Sequence, residues 1–236
     1  MPLIDCHVHY KLHARDVVTQ EEPMVRAAIA AGLDAIVFTE HHQRLLAERI
    51  VELNAKYAPF RIYSGVEVAT NIGDVLVFGG DKCWAKGTSF QDVQEEAGME
   101  DWLLCLAHPL RKGRPLPGLR PGEMNFIEVG SRHTPEDYLS QTKIRLKAAE
   151  VSARFLSNSD AHKVKHFTDV RAIPTPVSRR CTGVPQLMPS IVDTLRQIPP
   201  EPFAFWLMDT VEELVRRCEE AERSLEEERS RTMAKW

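Results

Sequence analysis

Closely spaced histidines and carboxylates recur along this chain, and both residue types bind metal ions. The stretch FLSNSDAHK, over 155–163, passes from apolar residues to Asp160 and His162, and an H-x-H pair, His7 and His9, lies near the amino terminus. Alternate residues of a β-strand point to the same face, so such a pair would present two side chains to one ion. One pair alone is weak evidence, because an isolated histidine after a strand is more often a hydrogen-bonded loop residue. His42, His133 and His166 are interpreted as loop histidines of that kind.

Segments of strand length alternate with segments of helix length along the chain. Seven strands are predicted, over 2–9, 34–41, 60–68, 74–80, 102–109, 126–130 and 155–162. Helices are predicted near 22–31, 42–57, 89–98 and 135–153, the last beginning at Pro135. This alternation is typical of a mainly parallel sheet with helices outside it. Seven strands in one domain favour a closed or nearly closed α/β barrel over a doubly wound sheet.

Metal-binding residue types lie at the ends of six of the seven predicted strands: His7, His9, His41, Glu67, His108, Glu128, Asp160 and His162. The remaining strand, DVLVFGG, offers no evident ligand. In parallel α/β barrels, the carboxyl ends of the strands form the active site. Five imidazoles and three carboxylates exceed what one Zn²⁺ uses, so the pattern predicts two or three ions. Nitrogen and oxygen ligands without a thiolate suit Zn, Mn or Fe.

Composition narrows the classes of partner and compartment. The chain has 236 residues and a formal net charge of -4, so no general positive field is available for strong non-specific nucleic-acid binding. The start has no basic segment followed by an apolar one, and no apolar run is long enough for a transmembrane helix. Five scattered cysteines without a secretory signal indicate reduced thiols. We therefore expect a cytoplasmic protein that does not bind membranes.

The character of the sequence changes near residue 200. Residues 1–200 carry the predicted barrel, and residues 201–236 are predicted to form a charged amphipathic helix after the PPEP stretch. The apolar residues of this helix step by three and four, in the stripe Val211, Leu214, Cys218, Ala221 and Leu225. The stripe spans only about two heptads, which favours packing on the barrel over assembly of a homo-oligomer.

The motifs, taken together and in order, resemble the PHP (polymerase and histidinol phosphatase) family of metal-dependent phosphoesterases. The resemblance covers residues 3 to about 165. It lies in DCHVH over 5–9, GLDAIVFTEH over 32–41, GVEV over 65–68, LAHP over 106–109, IEV over 127–129 and SDAH over 159–162. It implies a distorted (β/α)7 barrel with up to three metals at the carboxyl ends of the strands.

The resemblance also implies roles for individual residues. The eight strand-end residues above would be metal ligands, with Glu67, Asp160 and His162 at the catalytic centre. Family members usually have Asp before the histidine of the second motif, where this chain has Glu40, which we expect to orient a ligand. Members also place another ligand shortly after H-x-H, and His13 and Asp16 are both candidates for it.

The implied activity is hydrolysis of a phosphomonoester or a nucleotide-type phosphate ester by a metal-activated hydroxide. Cations near the ligands would neutralise the substrate phosphate, and Arg111, Arg132 and Lys163 each lie within a few residues of a predicted ligand. One alternative is an amidohydrolase-type metallohydrolase that acts on C–N bonds, which also opens with H-x-H. The other is a non-catalytic scaffold that metals stabilise.

Overall fold

A computed structural model describes residues 3–10, 21–135, 137–168, 175–176 and 191–196 of the chain. These residues form eight strands: β1 (Leu3–Val8), β2 (Ala35–Phe38), β3 (Arg61–Thr70), β4 (Gly73–Phe78), β5 (Leu103–Leu106), β6 (Phe126–Gly130), β7 (Arg154–Ser157) and β8 (Thr175–Pro176). They also form five α-helices: α1 (Glu21–Ala30), α2 (Ala47–Tyr57), α3 (Phe90–Met99), α4 (Tyr138–Glu150) and α5 (Ile191–Arg196). His13, Asp16 and the predicted helix over 201–236 lie outside the described residues.

The strands form one mixed sheet in the order β7-β6-β5-β4-β3-β2-β1-β8. Neighbours are parallel except for β4, which is antiparallel to both β3 and β5, and β8, which is antiparallel to β1. The segment after β7 returns to β1, where Val8 bridges Ala161 and the His9 amide donates to the Ala161 carbonyl at 2.8 Å. This contact nearly closes the sheet, which confirms the predicted distorted barrel. The reversal of β4 and the short β8 were not predicted.

Apolar residues on the two faces of the sheet form separate cores. Inward-facing residues such as Cys6, Phe78 and Cys105 fill the barrel interior together with Leu195 of α5. Outside the barrel, α1 and α2 cover β1–β3, and α3 and α4 cover β3–β6. The alternation along each strand thus sets which residues can meet above the interior core.

Two predicted helices begin later in the structure than in the sequence analysis. The predicted 42–57 helix begins at Ala47, because His42 has a left-handed φ of 57° and its amide donates to the Glu67 carbonyl at 2.9 Å, outside any helix. The predicted 135–153 helix begins at Tyr138, because Asp137 acts as its N-cap and accepts a hydrogen bond from the Ser140 amide at 2.9 Å. The Arg111–Gly113 turn of 3₁₀-helix is the only regular element in the predicted loop over 110–124.

Candidate metal centre

The strand-end residues converge on one buried cluster above the barrel core. A pairing irregularity in β1 between Asp5 and Val8 changes its alternation, so Cys6 faces the interior core while Val8 packs in the outer core. His7 and His9 then point into the cluster, and both are completely buried. Glu67 reaches it from β3, where it continues the inward face of Tyr63.

Glu67 lies at the middle of the cluster. Its Oε2 atom is 2.9 Å from Nδ1 of His41, 3.2 Å from Nε2 of His9 and 3.4 Å from Nε2 of His7. Its Oε1 atom is 3.0 Å from Nε2 of His108. Burial by itself raises the pKa of Glu67, but the charge of His7, the hydrogen bond from His108 and the close contact with His41 hold that pKa well below its usual value.

Asp160 contacts His7 and His9, two of the histidines that Glu67 contacts. Its Oδ1 atom lies 3.4 Å from Nε2 of both His7 and His9 and 3.3 Å from Nδ1 of His162. Its Oδ2 atom lies 3.5 Å from Nε2 of His133. Asp160 has a φ of 51°, a left-handed conformation that Asp and Asn tolerate better than most residues. Burial raises the pKa of Asp160, and the charges of His7 and His9 outweigh this effect and lower it.

The imidazoles in this cluster differ in their affinity for protons. Burial lowers the pKa of His9, but the nearby carboxylates of Asp160, Glu40 and Glu67 raise it to about 10. His7 is likewise raised well above its usual pKa, because the charges of Asp160 and Glu67 outweigh its burial. Burial and the charge of His9 instead lower the pKa of His162 to about 4. The buried carboxylates thus favour positive charge at His7 and His9.

The donor atoms fit divalent metals. Buried atoms without a hydrogen-bond partner face one another across the cluster: Nε2 of His7, Nε2 of His9, Oε2 of Glu67 and both carboxylate oxygens of Asp160. Leaving polar atoms buried and unpaired is costly, and a bound cation would satisfy them. Among the residues that the structure describes, four sets of three have potential ligand atoms within 4.8 Å of one another: His9–His41–His162, His7–His108–Asp160, His7–His9–Glu67 and Glu67–Asp74–His108.

Glu128 accepts hydrogen bonds from two of these histidines. Its Oε1 atom accepts from Nδ1 of His7 at 3.1 Å and from Nδ2 of Asn158 at 2.9 Å. Its Oε2 atom accepts from the His108 amide at 2.6 Å. Glu128 is completely buried, and it is absent from the four donor sets. These contacts turn Nε2 of His7 toward Glu67 and Asp160.

Glu40 and Asp5 accept hydrogen bonds from main-chain amides next to these histidines, and Glu40 also approaches the ring of His9. Oε1 of Glu40 lies 3.4 Å from Nδ1 of His9 and accepts from the His41 amide at 3.1 Å. Asp5 accepts from the amides of His7 and Ser159, which ties β1 to the segment after β7. Burial raises the pKa of Asp5 to about 6, against the hydrogen bonds from Ser159 and His7.

Two residues in the cluster were not among the predicted ligands. Asp74 is the second residue of β4, and its Oδ2 atom lies 3.8 Å from Nε2 of His108. Ligands were expected at the carboxyl end of this strand, but β4 is antiparallel to its neighbours, so its first residues lie at the candidate metal centre. His133 was interpreted as a loop residue, whereas its ring contacts Asp160 and lies edge-on to His108 at 6.2 Å between centroids.

The three predicted phosphate-binding cations have different surroundings. Arg111 Nη1 lies 3.2 Å from Nε2 of His108 and 3.9 Å from Oδ2 of Asp74. Arg132 Nη1 lies 3.1 Å from Nδ1 of His166. Lys163 is exposed beside His162. Burial lowers the pKa of His133, and the charges of Arg111 and Arg132 lower it further, against the charge of Asp160.

Several solved structures share this fold. PsfC from Pseudomonas syringae PB-5123 is 21% identical with a TM-score of 0.54, over 77% of this chain and 85% of that chain. A two-domain protein from Bacteroides vulgatus ATCC 8482, which contains a predicted PHP-like metal-dependent phosphoesterase, is 18% identical with a TM-score of 0.57, over 84% of this chain and 62% of that chain. A candidate metal-dependent phosphoesterase from Bifidobacterium adolescentis ATCC 15703 is 11% identical with a TM-score of 0.53, over 83% of this chain and 94% of that chain.

These likenesses give the chain the fold of the PHP-like metal-dependent phosphoesterases, as the sequence resemblance implied. No family model matches the sequence, and no curated protein gives a sequence match. Within the described part of the chain, none of the helices is long and apolar enough to cross a membrane.

Proposed function

We propose that this chain is a metal-dependent phosphoesterase that hydrolyses a phosphomonoester or a nucleotide-type phosphate ester. The observation that carries the proposal is the set of buried, unpaired donor atoms of His7, His9, Glu67 and Asp160, which face one another at the carboxyl ends of the strands. The fold that the chain shares with PHP-like proteins supports the same conclusion. Bound divalent ions would supply an activated water and would stabilise negative charge on the phosphoryl oxygens.

The residues proposed to hold these ions are His7, His9, His41, Glu67, Asp74, His108, His133, Asp160 and His162. Two or three ions of the Zn, Mn or Fe type suit their nitrogen and oxygen donors. Glu67 and Asp160 each contact histidines through both carboxylate oxygens, so these two residues are the ones best placed to join two ions. Glu128 was predicted as a ligand, but its oxygens accept hydrogen bonds from His7, Asn158 and His108. We revise its role to orienting His7 and His108.

The chain's own cations would bind the substrate. Arg111 approaches from the side of β5 and Arg132 from the side of β6, and Lys163 stands at the exposed edge. A guanidinium group can donate two parallel hydrogen bonds to one phosphoryl group, which fixes its orientation as well as its charge. His162 has its pKa lowered to about 4, so it is neutral near pH 7 and available as a ligand.

A panel of substrates tests the proposed function. The full chain, loaded separately with Zn²⁺, Mn²⁺ or Fe²⁺, would be assayed on p-nitrophenyl phosphate, bis-p-nitrophenyl phosphate, nucleoside monophosphates and simple amides. We expect turnover of phosphate esters and none of amides, with two or three ions per chain by elemental analysis. Amide turnover would support the amidohydrolase alternative, and metal binding without turnover of any substrate would support the scaffold.

Partners and compartment are proposed from the net charge and the composition of the chain. The net charge of -4 supports a small phosphorylated substrate or nucleotide over non-specific nucleic-acid binding. The proposed division is a barrel over 1–200 and a helix over 201–236 that packs on the barrel or joins two copies. A cytoplasmic location is proposed on the cysteine pattern alone.

A further inference from the structure

His166 connects two groups at the rim of the metal centre. It lies in the short 3₁₀ segment Val164–Thr168 and is only 8% exposed. Its Nδ1 atom accepts from the His162 amide at 3.0 Å and lies 3.1 Å from Nη1 of Arg132. Both neighbours are donors, so Nδ1 is the unprotonated acceptor of this ring. A single ring nitrogen therefore joins the main chain of a proposed ligand to the guanidinium group of Arg132.

The main chain of Arg132 is already fixed next to the centre. Its neighbour His133 contacts Asp160, with 3.5 Å between Nε2 and Oδ2. Oγ of Ser131 lies 3.0 Å from Oγ1 of Thr134, and the Thr134 amide donates to the Ser131 carbonyl at 3.1 Å. Both Ser131 and Thr134 are buried. The turn thus holds Arg132 beside the cleft, and the direction of its long side chain depends on what its guanidinium group contacts.

The charge of Arg132 is not neutralised by the described residues. Within the described ranges, no carboxylate forms an ion pair with it, whereas Arg111 has Asp74 at 3.9 Å. A neutral acceptor such as Nδ1 of His166 can hold a guanidinium group in one orientation and leave its positive charge available. The remaining guanidinium donors can then bind an anion.

We propose that His166 is a positioning residue that holds Arg132 ready to bind a phosphoryl oxygen of the substrate. This inference rests on the proposed function and specifies its anion site: Arg132 is the anchored phosphate-binding cation, and the ring of His166 anchors it. A guanidinium group already fixed in its binding orientation loses less conformational freedom when the anion arrives. The His162 amide bond keeps the anchor in register with the metal centre.

Inorganic phosphate binding to the metal-loaded full chain tests the proposal by titration calorimetry. His166→Leu removes the acceptor, and we expect it to weaken phosphate binding by about tenfold, since a hydrogen bond to a charged group is lost. In His166→Asn the side-chain amide oxygen can take the place of Nδ1, so we expect binding within about threefold of the wild type. Arg120→Gln, which removes an exposed arginine that already pairs with Glu123, is the control for lost charge and should leave binding unchanged.

A double-mutant cycle separates positioning from a general structural role. If His166 acts through Arg132, then His166→Leu combined with Arg132→Gln should bind phosphate no more weakly than Arg132→Gln alone. Metal content per chain should stay at the wild-type value in the His166 variants. For p-nitrophenyl phosphate, we expect KM to rise with little change in kcat. If His166→Leu does not fold, His166→Gln tests the same point, because its longer amide does not place an acceptor at Nδ1.

Distinct results overturn the proposal. Additive effects in the cycle, loss of metal from the His166 variants, or no binding of phosphate by the metal-loaded wild type would each contradict it. Phosphate binding that depends on His166, found together with no hydrolysis of any phosphate ester, would support the anchor and refute the proposed function.

Discussion

The carboxylate of Asp74 lies 3.8 Å from Nε2 of His108, although Asp74 is the second residue of its strand and His108 follows the end of another. The two meet because β4 is antiparallel to β5, with Val75 opposite Leu106. The first residues of β4 therefore lie beside the carboxyl ends of β3 and β5. Asp74 also approaches Arg111 and Arg114, at 3.9 and 4.0 Å, so it contacts two arginines as well as His108.

Asp74→Asn should weaken the metal position that includes Glu67 and His108. An amide oxygen is a poorer ligand than a carboxylate and carries no charge, so we expect affinity for the weakest-bound ion to fall by at least about tenfold. A metal titration followed by elemental analysis would show the ion lost first at limiting metal. Glu95→Gln, at an exposed position of α3, is the matched control. Unchanged metal content and affinity in Asp74→Asn would mean that Asp74 serves only the arginines.

Glu128→Gln distinguishes an orienting residue from a ligand. An amide has one acceptor oxygen, so it cannot accept from both Nδ1 of His7 and the His108 amide. If Glu128 orients these residues, all ions should still bind, with affinity lowered about 10–100-fold. Complete loss of one ion at saturating metal would instead restore Glu128 to the ligand set that the sequence predicted. Circular dichroism would confirm that the variant is folded.

Asp160→Asn and Asp160→Ala should differ in stability but not in activity. Both remove the carboxylate that faces His7, His9 and His133, so we expect kcat/KM to fall by at least about a hundredfold in each. Asn tolerates the left-handed φ of 51° better than Ala does. Asp160→Ala should therefore be less stable than Asp160→Asn by about 1 kcal/mol and should unfold at a lower temperature. Thermal unfolding in chelator compares the two without a metal contribution. Equal stability would show that the conformation relaxes, and near wild-type turnover would show that Asp160 only forms a turn.

Glu22 should make the stability of the barrel depend on acid. It joins α1 to α2 through Nζ of Lys56 at 2.7 Å, the Tyr57 hydroxyl at 2.9 Å and Arg49 at 3.3 Å. The hydrogen bonds from Lys56 and Tyr57 lower its pKa from 4.5 to about 2. A lowered pKa in the folded state contributes stability above pH 4.5, and the contribution disappears as the pH falls toward 2.

Wild type and Glu22→Gln should therefore differ in melting temperature near neutral pH and converge as the pH falls from 4.5 toward 2. Calorimetric scans across this range measure the difference, and Glu100→Gln, at an exposed position after α3, is the control that should show no such convergence. A gap that stays constant with pH would mean that the carboxylate charge of Glu22 is not what stabilises the two helices. High salt should narrow the gap at neutral pH, because these groups are partly exposed.

The sequence by itself predicted the features that depend on local spacing. A strand repeats every two residues wherever it lies, so the H-x-H spacing predicted that His7 and His9 present their rings to one place, and both rings contact Glu67. The motifs around His108 and Asp160 also identified the end of the barrel that carries the metal centre. The barrel itself followed from the alternation of strands and helices.

Only the tertiary structure decided the features that depend on long-range pairing. The direction of β4 is set by hydrogen bonds to β3 and β5, and this direction alone brings Asp74 to the centre. The irregularity in β1 is a matter of its register with β2, and it turns His7 inward after Cys6. The roles of Glu128 and His133 depend on which atoms lie opposite them across the barrel. Strand spacing is a property of the local backbone, whereas strand direction, register and hydrogen-bond partners depend on residues far apart in the sequence, so no local pattern could reveal them.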